Sequence, residues 1–390
     1  MTVVFLCDYY HPFEIGGAER SAEQLAIELT ARGVTVVVVT PNYGAAPAEQ
    51  VRGVPVIRLR FPQRLVPGTL ARRLWTGNPM LQAWYAVRVA SIVRRRRAAI
   101  VHVQNSPLVV AGWLAARASG ARLVVTVRDL AYVEPAAEGP GPSLKVRADA
   151  VWSAAERRLK RAAVQSADAV VFVSAALRTL YMSSGQRRIA SRARVIYNIA
   201  PPTSRLEPPR DSSTVLYVGK LSAGKGLHVL YEAARVLIAR MPVVSFVMVG
   251  AAGTGYQPPP ADVQAHIEMR GRLSSTEVER LMQRATVLVL PSVWPEPLSR
   301  VILEGMSQGI PIVATDAGGT REALEHDVSG MIVPAADPLA LASALERVIS
   351  EPGLGTRLAR AARTAYTRTF GADVIVPSVI EVYEEACERS

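Results

Sequence analysis

The sequence predicts an α/β protein built from two doubly wound parallel-sheet domains in succession. Short apolar, β-branched runs alternate with amphipathic helical stretches along the chain, which is typical of parallel sheets covered by helices on both faces. This alternation stops at a Pro- and Ser-rich segment, residues 201–213, and then starts afresh. The length of 390 residues exceeds one ordinary core and suits two such domains.

The first half opens with a predicted βαβ unit. Apolar runs predict strands at 3–7 and 34–39, and helical spacing of apolar residues predicts a helix at 18–32 between them. Gly16 and Gly17 lie where the loop enters this helix, so their N–H groups could approach an anion. A tight turn without a ligand is the alternative. Further strands are predicted at 54–59, 100–103, 123–127 and 169–173, with helices within 62–97 and at 108–118 and 151–166.

Two polar residues of the first half are placed by these strands. His102 lies inside the strand 100–103, so we expect a hydrogen-bonded core histidine rather than a catalytic one. Arg128 comes directly after the strand 123–127 and is followed by Asp129. This position predicts that Arg128 lies at the carboxyl edge of the sheet, where open α/β sheets bind ligands.

The second half repeats the alternation. Strands are predicted at 215–218, 243–249, 265–269, 287–290 and 310–314, and helices at 227–240 and 275–284, with a further short helix around Glu304. The glycine-rich run 250–255 reverses the spacing of a dinucleotide fingerprint, and prolines stand where a helix should begin, so a simple connection is predicted. The predicted domains are residues 1–200 and 201–370, followed by a last helix within 371–390.

The candidate binding residues of the second half follow its strands. Lys220 and Lys225 stand among glycines between a strand and a helix, where two cations could neutralise a diphosphate. Glu296 lies in the loop after the strand 287–290, and Glu304 lies in the next helix. We therefore expect both carboxylates to face a ligand that lies across the start of this helix.

The start of that helix is a second candidate phosphate contact. Ser299 is expected to cap the helix. The N–H groups of Arg300 and Val301 would then remain for phosphate oxygens. Gly318 and Gly319 predict a further turn near the same edge.

Positive charge is concentrated in the first half. Residues 1–200 carry 27 Lys and Arg against 12 Asp and Glu, whereas the remainder carries 18 against 21. No RNP-like motif, zinc finger or clear recognition helix accompanies this charge, so a nucleic-acid partner is not expected. An anionic membrane surface, an anionic acceptor and simply solvated arginines remain open. Trp75, Trp84 and Tyr85 lie near Arg72, Arg73 and Arg88, a mixture that is also typical of membrane-surface helices. The arginines at 94–97 are also explained by the helix dipole.

Cysteine content and apolar runs indicate the expected compartment. Cys7 and Cys387 are the two cysteines, which excludes a disulfide framework and makes a zinc site implausible. The apolar runs are of strand length rather than the ~20 residues that span a bilayer. The N-terminus lacks the pattern of a signal peptide. The sequence therefore predicts a cytoplasmic protein, with attachment to the inner face of the membrane as an open alternative.

Ordered motifs along nearly the whole chain resemble the retaining glycosyltransferases of family 4, which have the GT-B fold. The motifs are PFEIGGAERSAEQLAIELTARG, SADAVVFVSAAL, VIYN, YVGKLSAGKG and PSVWPEPLSRVILEGMSQGIPIVATDAGG. The resemblance implies a first domain that takes the acceptor and a second that binds a nucleotide-activated sugar. It also implies a last helix, here 374–388, that crosses back to the first domain.

The resemblance implies roles for individual residues by position. Glu304 would hold the ribose hydroxyls and Glu296 the donor sugar, while Lys220 and Lys225 would neutralise the diphosphate. The amides of Gly16 and Gly17 would touch the diphosphate from the first domain, and backbone near Arg272 would contact the nucleobase. No metal, other cofactor or side-chain base is expected.

Several positions depart from the family pattern, and one of them is the residue after Asn198, which is not a glycine. Arg128 stands where a histidine that contacts the sugar is common, and Leu298 and Ser299 replace a common Phe-Gly pair. We expect Leu298 and Ser299 to influence sugar selection.

The resulting hypothesis is transfer of a hexose-type sugar from a UDP- or GDP-linked donor to a glycan or lipid-linked acceptor, as in cell-surface polysaccharide or glycolipid synthesis. Two alternatives stay open at this point. One is a nucleotide-sugar epimerase on a similar scaffold. The other is a non-catalytic membrane-surface component that binds nucleotide sugar.

Overall fold

The computed structural model describes residues 1–13, 16–60, 78–130, 144–200, 213–253 and 255–389, with backbone only for 144–153. The chain forms two compact units. Unit 1 comprises Met1–Tyr197 together with Ile375–Ser390, and unit 2 comprises Asn198–Val374. Most of the predicted linker, residues 201–212, lies outside the described residues.

Unit 1 contains an eight-stranded sheet in the order β3-β4-β2-β1-β5-β6-β7-β8. All neighbouring pairs are parallel except β3 with β4. Val3 of β1 aligns with Val36 of β2 and with Ile100 of β5. The strands are β1 Thr2–Leu6, β2 Thr35–Pro41, β3 Ala48–Val51, β4 Val54–Leu59, β5 Ile100–Val103, β6 Arg122–Val127, β7 Ala169–Phe172 and β8 Ala193–Val195.

Helices cover this sheet and bury their apolar faces on it. They are α1 Gly17–Ala31, α2 Pro79–Arg96, α3 Val109–Ser119, α4 Leu144–Gln165 and α5 Ala175–Ser183. Local sequence explains where α2 begins, because Asn78 accepts hydrogen bonds from the N–H groups of Met80 (2.9 Å) and Leu81 (3.3 Å). Pro79 occupies the first position of the helix, where its missing backbone N–H leaves no hydrogen bond unmade.

Unit 2 contains a six-stranded, fully parallel sheet in the order β11-β10-β9-β12-β13-β14. The strands are β9 Thr214–Val218, β10 Ser245–Val249, β11 Ile267–Gly271, β12 Val287–Leu290, β13 Ile312–Thr315 and β14 Met331–Val333. The helices are α6 Leu227–Arg240, α7 Ser275–Arg284, α8 Arg300–Gln308, α9 Thr320–Ala323, α10 Pro338–Ser350 and α11 Leu354–Thr369.

The last helix, α12, spans Ala372–Glu388, and its residues from Ile375 onward belong to unit 1. Its buried apolar side chains and two polar contacts hold it there. Tyr383 is fully buried with its hydroxyl 2.7 Å from Nδ1 of His102 in β5. Arg194 of β8 forms an ion pair with Glu385 at 2.7 Å.

The two doubly wound sheets confirm the predicted fold class. Two local predictions were incomplete. The antiparallel edge strand β3 was not expected, because its residues AEQV are polar and mostly exposed. The helix α4 begins at Leu144, seven residues before the predicted start, since its first two turns carry no strong apolar periodicity.

Among the described residues, no helix combines the length and apolar character needed to cross a membrane.

Candidate functional site

Three loops of unit 2 meet at one edge of its sheet. They follow β9, β12 and β13, and because all strands are parallel, the loops lie at the same carboxyl edge. The Gly224 carbonyl accepts hydrogen bonds from the N–H groups of Val293 and Trp294, both at 3.1 Å. The Glu296 carbonyl accepts one from Gly319 at 2.8 Å. Backbone hydrogen bonds therefore hold the three loops together.

Two glycines allow this close approach. Gly226 has φ +73°, and a Cβ there would lie 1.8 Å from the carbonyl oxygen of Pro291. Gly318 has φ +57°, and a Cβ there would lie 1.9 Å from the carbonyl oxygen of Glu296. Only glycine tolerates both the left-handed backbone and the missing space. The loops that carry the predicted lysines and glutamates are thus packed backbone to backbone.

Lys225 and Glu296 form an ion pair across two of these loops. Lys225 ends the short 3-10 turn Ala223–Lys225, which fixes its position ahead of α6. The Oε2 atom of Glu296 also lies 3.4 Å from the hydroxyl of Ser292, which donates to it. The side chains keep 30% and 17% of their surface exposed. The pair is thus placed where a polar ligand can still reach both charges.

Lys220 lies in the same loop as Lys225, after β9, and is held through its backbone. The hydroxyl of Tyr217 donates to the Lys220 carbonyl at 2.8 Å. Burial, and secondly the negative charge of Glu296, raises the pKa of Tyr217, so its hydroxyl keeps its proton and remains a donor. The Lys220 chain passes over Gly253, where a Cβ would lie 2.4 Å from its Cε atom. This contact gives the glycine-rich run a packing role, and no helix begins at residues 258–260.

The helix α8 presents Arg300 and Glu304 near its start. The Nε atom of Arg300 donates to Oε1 of Glu304 at 2.7 Å, one helical turn apart. Their side chains are only 9% and 16% exposed. The ion pair holds the Glu304 carboxylate in one orientation.

The capping expected of Ser299 is wrong in one respect. Ser299 does occupy the N-cap position of α8, but its hydroxyl makes no capping hydrogen bond. Its carbonyl instead accepts from the N–H of Ile302 at 3.2 Å. Leu298, just before it, is buried with 5% exposure. The start of α8 is therefore fixed by this backbone hydrogen bond and by apolar packing. Val301 lies in the first turn of the helix.

Arg272 comes directly after β11 and is exposed. The preceding Gly271 has φ +62°, and its carbonyl accepts from the N–H of Gly250 at 2.8 Å. This contact joins the ends of β10 and β11 at the same edge that carries Lys220.

The remaining predicted donor residues, Gly16 and Gly17, lie in unit 1 at the start of α1. The N–H of Gly16 donates to the Glu19 carboxylate at 2.9 Å. Its φ of −154° is ordinary extended backbone. Binding of an anion by this amide would require the Glu19 carboxylate to move away, so the role of Gly16 and Gly17 stays a prediction.

Arg128 lies at the carboxyl edge of the first sheet, just after β6. Its Nη2 atom donates to Oε1 of Gln104 at 2.7 Å. Asp129 accepts a hydrogen bond from the hydroxyl of Ser106 at 2.9 Å. A second carboxylate of this edge, Asp8, is buried and accepts from the hydroxyl of Tyr43 at 3.1 Å. The edge thus offers charged groups suited to binding hydroxyls.

His102 is a core histidine, as expected. It is 1% exposed, and its two ring nitrogens lie 2.7 Å from the hydroxyls of Tyr383 and Thr126. Burial, with the nearby charge of Arg128 as a second cause, lowers the pKa of His102 to about 3. The ring is therefore neutral at physiological pH.

Sequence reasoning missed several partners of the site. The ion pair of Arg300 with Glu304 has the helical i to i+4 spacing and was open to prediction. The contact of Lys225 with Glu296 depends on the meeting of two loops and carried no local signal. The hydrogen bond from Tyr217 to the Lys220 carbonyl is local, three residues along the chain, but depends on the shape of the turn after β9. In the described part of the chain, no three or more His, Cys, Asp or Glu side chains are grouped to hold a metal ion.

Two family models together match most of the chain. The model "Glycosyltransferase Family 4" matches residues 15–203, and the model "Glycosyl transferases group 1" matches residues 204–365. Among curated relatives, glycogen synthase of Mycobacterium tuberculosis is 26% identical, covering 98% of this chain and 94% of the relative. D-inositol 3-phosphate glycosyltransferase of Xylanimonas cellulosilytica is 30% identical, covering 72% and 70%.

Solved structures show the same fold. Sucrose-phosphate synthase from Thermosynechococcus elongatus has a TM-score of 0.77 at 19% identity and covers 100% of both chains. HepE from Anabaena in complex with UDP has a TM-score of 0.72 at 20% identity, covering 98% of this chain and 100% of that one. The architecture is therefore the GT-B fold.

Proposed function

We propose that this chain, which belongs to glycosyltransferase family 4, moves a hexose from a nucleoside-diphosphate sugar to a glycan or lipid-linked acceptor. Membership of this family makes the protein a hexosyl-transferring enzyme. The observation that carries the finer proposal is the ion pair of Lys225 with Glu296 at the carboxyl edge of unit 2. Both charges are fixed in place, and both keep exposed surface for a ligand.

The two lysines have the chemistry needed to stabilise a departing diphosphate. Negative charge develops on the leaving phosphate as the bond to the sugar breaks, and preorganised cations lower the energy of that state. Lys225 is held by its short turn and Lys220 by the Tyr217 hydroxyl. Both would therefore bind the diphosphate without having to be ordered first.

The two glutamates have the chemistry needed to bind hydroxyl groups. Ionised carboxylates accept several hydrogen bonds each. In this proposal Glu296 accepts from the donor sugar and Glu304 from the ribose. When the donor binds, Lys225 exchanges Glu296 for phosphate oxygens, and Glu296 exchanges Lys225 for sugar hydroxyls. Arg300 keeps Glu304 oriented throughout.

The proposed donor is linked to UDP or GDP. Support for UDP comes from the fold neighbour HepE, whose structures contain UDP or UDP-glucose. Backbone next to Arg272 is proposed to contact the base, and the N–H groups of Arg300 and Val301 the phosphates. Leu298 and Ser299 are proposed to shape the sugar pocket. Gly16 and Gly17 are proposed to offer backbone N–H groups to a diphosphate once Glu19 releases the Gly16 amide.

The proposed acceptor presents a hydroxyl to unit 1. The named relatives include a glycogen synthase and D-inositol 3-phosphate glycosyltransferases, whose names indicate a glycan and a phosphorylated polyol. Arg128 is the proposed polar contact at this edge. Retention of the anomeric configuration is proposed, with the departing phosphate taking the acceptor proton, and no metal is assigned to the reaction.

Donor binding tests the proposal directly. A ligand that binds only the folded state raises thermal stability, so a panel of nucleotide sugars screened by thermal shift identifies the donor. With that donor, Glu304→Ala is expected to weaken binding about 100-fold, because two ribose hydrogen bonds to a charged group are lost. Lys225→Ala is expected to slow transfer about 1,000-fold.

A matched control separates the site from general helix effects. Glu351, the residue after α10, forms the same kind of i to i+4 ion pair with Arg347 of that helix. Glu351→Ala should leave donor affinity unchanged. Wild-type donor affinity in Glu304→Ala would contradict the assignment of the ribose contact. Conversion of the nucleotide sugar without any acceptor would instead indicate an epimerase.

A further inference from the structure

A long segment of unit 1 is free of acidic residues. Residues 50–128 contain fourteen arginines and no Asp or Glu. Two of the helices in this segment, α2 and α3, pack against each other. A side chain of α2 strengthens this packing, because Arg94 donates to the carbonyl of Ala118. The two helices therefore form one positively charged surface.

The outer side of α2 is apolar along its first half. Met80 is 81% exposed and Val87 is 69% exposed. Trp84 lies between them, half-buried, with the guanidinium of Arg88 5.2 Å from its ring centroid. In α3, Arg117 lies 5.9 Å from the ring centroid of Trp113 in the same way. Positions 80, 84, 87, 88 and 95 fall on one side of an α-helix.

The second half of α2 ends in the arginines at 94–97, all of them exposed. Within the described part of the chain, Arg88, Arg95, Arg96, Arg97 and Arg117 form no salt bridge. We call the following set the basic face: Met80, Trp84, Val87, Arg88, Arg95, Arg96, Arg97, Trp113 and Arg117. Its charge is not neutralised by the protein itself.

The direction of the helices separates this arginine cluster from the acceptor edge. The strands on either side of α2 and α3 in the chain are parallel, so these helices run opposite to them. The C-terminal end of α2 is followed by the amino end of β5. A helix of 18 residues is about 27 Å long. The arginines at 94–97 are therefore at the opposite end of the sheet from Arg128, and a bound acceptor does not explain them.

We propose that the basic face docks on the surface of an anionic lipid bilayer. Unneutralised arginines are attracted by anionic headgroups. Met80 and Val87 supply apolar contact at the acyl boundary, and Trp84 and Trp113 belong to the residue type that favours this interface. The combination of exposed apolar side chains with uncompensated arginines fits a lipid surface better than a hydrophilic polyanion, which would not use Met80 or Val87.

Vesicle sedimentation of the full chain tests this docking. We expect binding to phosphatidylcholine vesicles that contain phosphatidylglycerol and little binding to phosphatidylcholine alone. Binding should weaken strongly between ~0.1 M and ~1 M salt, because the Debye length falls from about 10 Å to about 3 Å. Equal binding to both kinds of vesicle would overturn the proposal.

Charge variants locate the contact. Arg95→Gln with Arg96→Gln should weaken binding to the anionic vesicles about 30-fold, since each arginine near such a surface contributes about fivefold. Arg187 and Arg188 are exposed arginines of the same unit outside the basic face, and Arg187→Gln with Arg188→Gln is the matched control. An equal loss in the control would show a general charge effect and overturn the assignment of the face.

Apolar variants test the lipid component. Met80→Ser with Val87→Ser should reduce vesicle binding about tenfold and leave its salt dependence in place. Val243 and Leu339 of unit 2 are 67% and 60% exposed, so Val243→Ser with Leu339→Ser is the control. Tighter binding to RNA or heparin than to vesicles, unaffected by Met80→Ser with Val87→Ser, would replace the membrane by a polyanionic partner.

Vesicle binding by the basic face does not depend on the proposed donor site. Thermal shift with the soluble donor needs no membrane, so the basic-face variants should keep wild-type donor affinity. Loss of vesicle binding with intact donor binding supports the docking surface, whereas failure of Glu304→Ala to affect donor binding concerns only the proposed function.

Discussion

The two units each contain a pair of side chains that connects distant parts of the chain, and the two pairs differ in chemistry. In unit 1, His102 and Tyr383 are fully buried, and the lowered pKa of His102 keeps the ring neutral. In unit 2, Lys225 and Glu296 are both charged and partly exposed. The groups of a buried neutral pair are not accessible to a ligand, whereas each member of an exposed ion pair can exchange its partner for a ligand group. We infer that the first pair serves the fold and the second serves binding.

The two pairs are also held in position by different kinds of contact. His102 is held by side-chain hydroxyls from β6 and α12. Lys225 and Glu296 are positioned by backbone contacts that depend on Gly226 and Gly318. A small change at a glycine should therefore affect ligand binding in unit 2, while changes around His102 should affect the stability of unit 1.

Among the variants that test how the two pairs are positioned, the largest effect is expected for Gly226→Ala. The added Cβ would meet the Pro291 carbonyl at 1.8 Å and separate the loops that carry Lys225 and Glu296. A displacement of about 1 Å in such a site can cost about 100-fold in activity, and we expect a loss of that size in donor transfer. Gly353 has φ +79° with no atom within 4 Å of its Cβ position, so Gly353→Ala controls for backbone strain alone. Similar losses in both variants would contradict the role of loop contact.

The next effect concerns the pH dependence of stability. The folded-state pKa of His102, about 3, lies below its ordinary value of 6.5. The unfolded chain therefore binds the proton first, and stability present above pH 6.5 is lost as the pH falls. We expect a loss of about 2 kcal/mol between pH 6.5 and pH 5 from this residue.

Denaturant unfolding followed by tryptophan fluorescence measures this loss, since four of the five tryptophans lie in the first 197 residues. His102→Phe should be less stable but should lose this part of the pH dependence. His228 is exposed, and His228→Gln should retain it. An unchanged pH profile in His102→Phe would show that other groups govern acid unfolding.

An effect of similar size is expected for Tyr383→Phe. Removing the hydroxyl leaves a buried nitrogen of His102 without this partner, which typically costs about 1–3 kcal/mol. The fluorescence transition of unit 1 should shift to lower denaturant, whereas donor affinity should stay at the wild-type value. A loss of donor affinity without a change in stability would contradict the structural role assigned to this pair.

The smallest effect is expected for Arg300→Leu. Glu304 would lose the contact that orients it but would still be present to accept hydrogen bonds, so donor affinity should fall only a few-fold, consistent with the ~0.2–0.5 kcal/mol of a helical ion pair. Arg347→Leu breaks the comparable pair with Glu351 and should leave donor affinity unchanged. A loss as large as that of Glu304→Ala would mean that Arg300 itself contacts the donor.

Local sequence patterns specify the elements and the sheet edges at which the candidate site residues lie. Apolar periodicity depends only on local spacing, so α6 and α7 were predicted at their observed bounds and His102 was correctly placed in the core. Strand ends follow from the same pattern, and parallel strands bring their carboxyl ends together. Lys220, Lys225, Glu296 and Glu304 could therefore be assigned to one edge before their contacts were known.

Which of these groups meet depends on packing between distant parts of the chain. Lys225 and Glu296 are 71 residues apart, and His102 and Tyr383 are 281 apart. No local pattern encodes such contacts, because they depend on how loops and the last helix pack after the sheets have formed. The sequence showed that glycines stand at 226 and 318, but their close contact with the carbonyls of Pro291 and Glu296 exists only in the folded chain. Local spacing thus defines the elements, and packing over long separations defines the site.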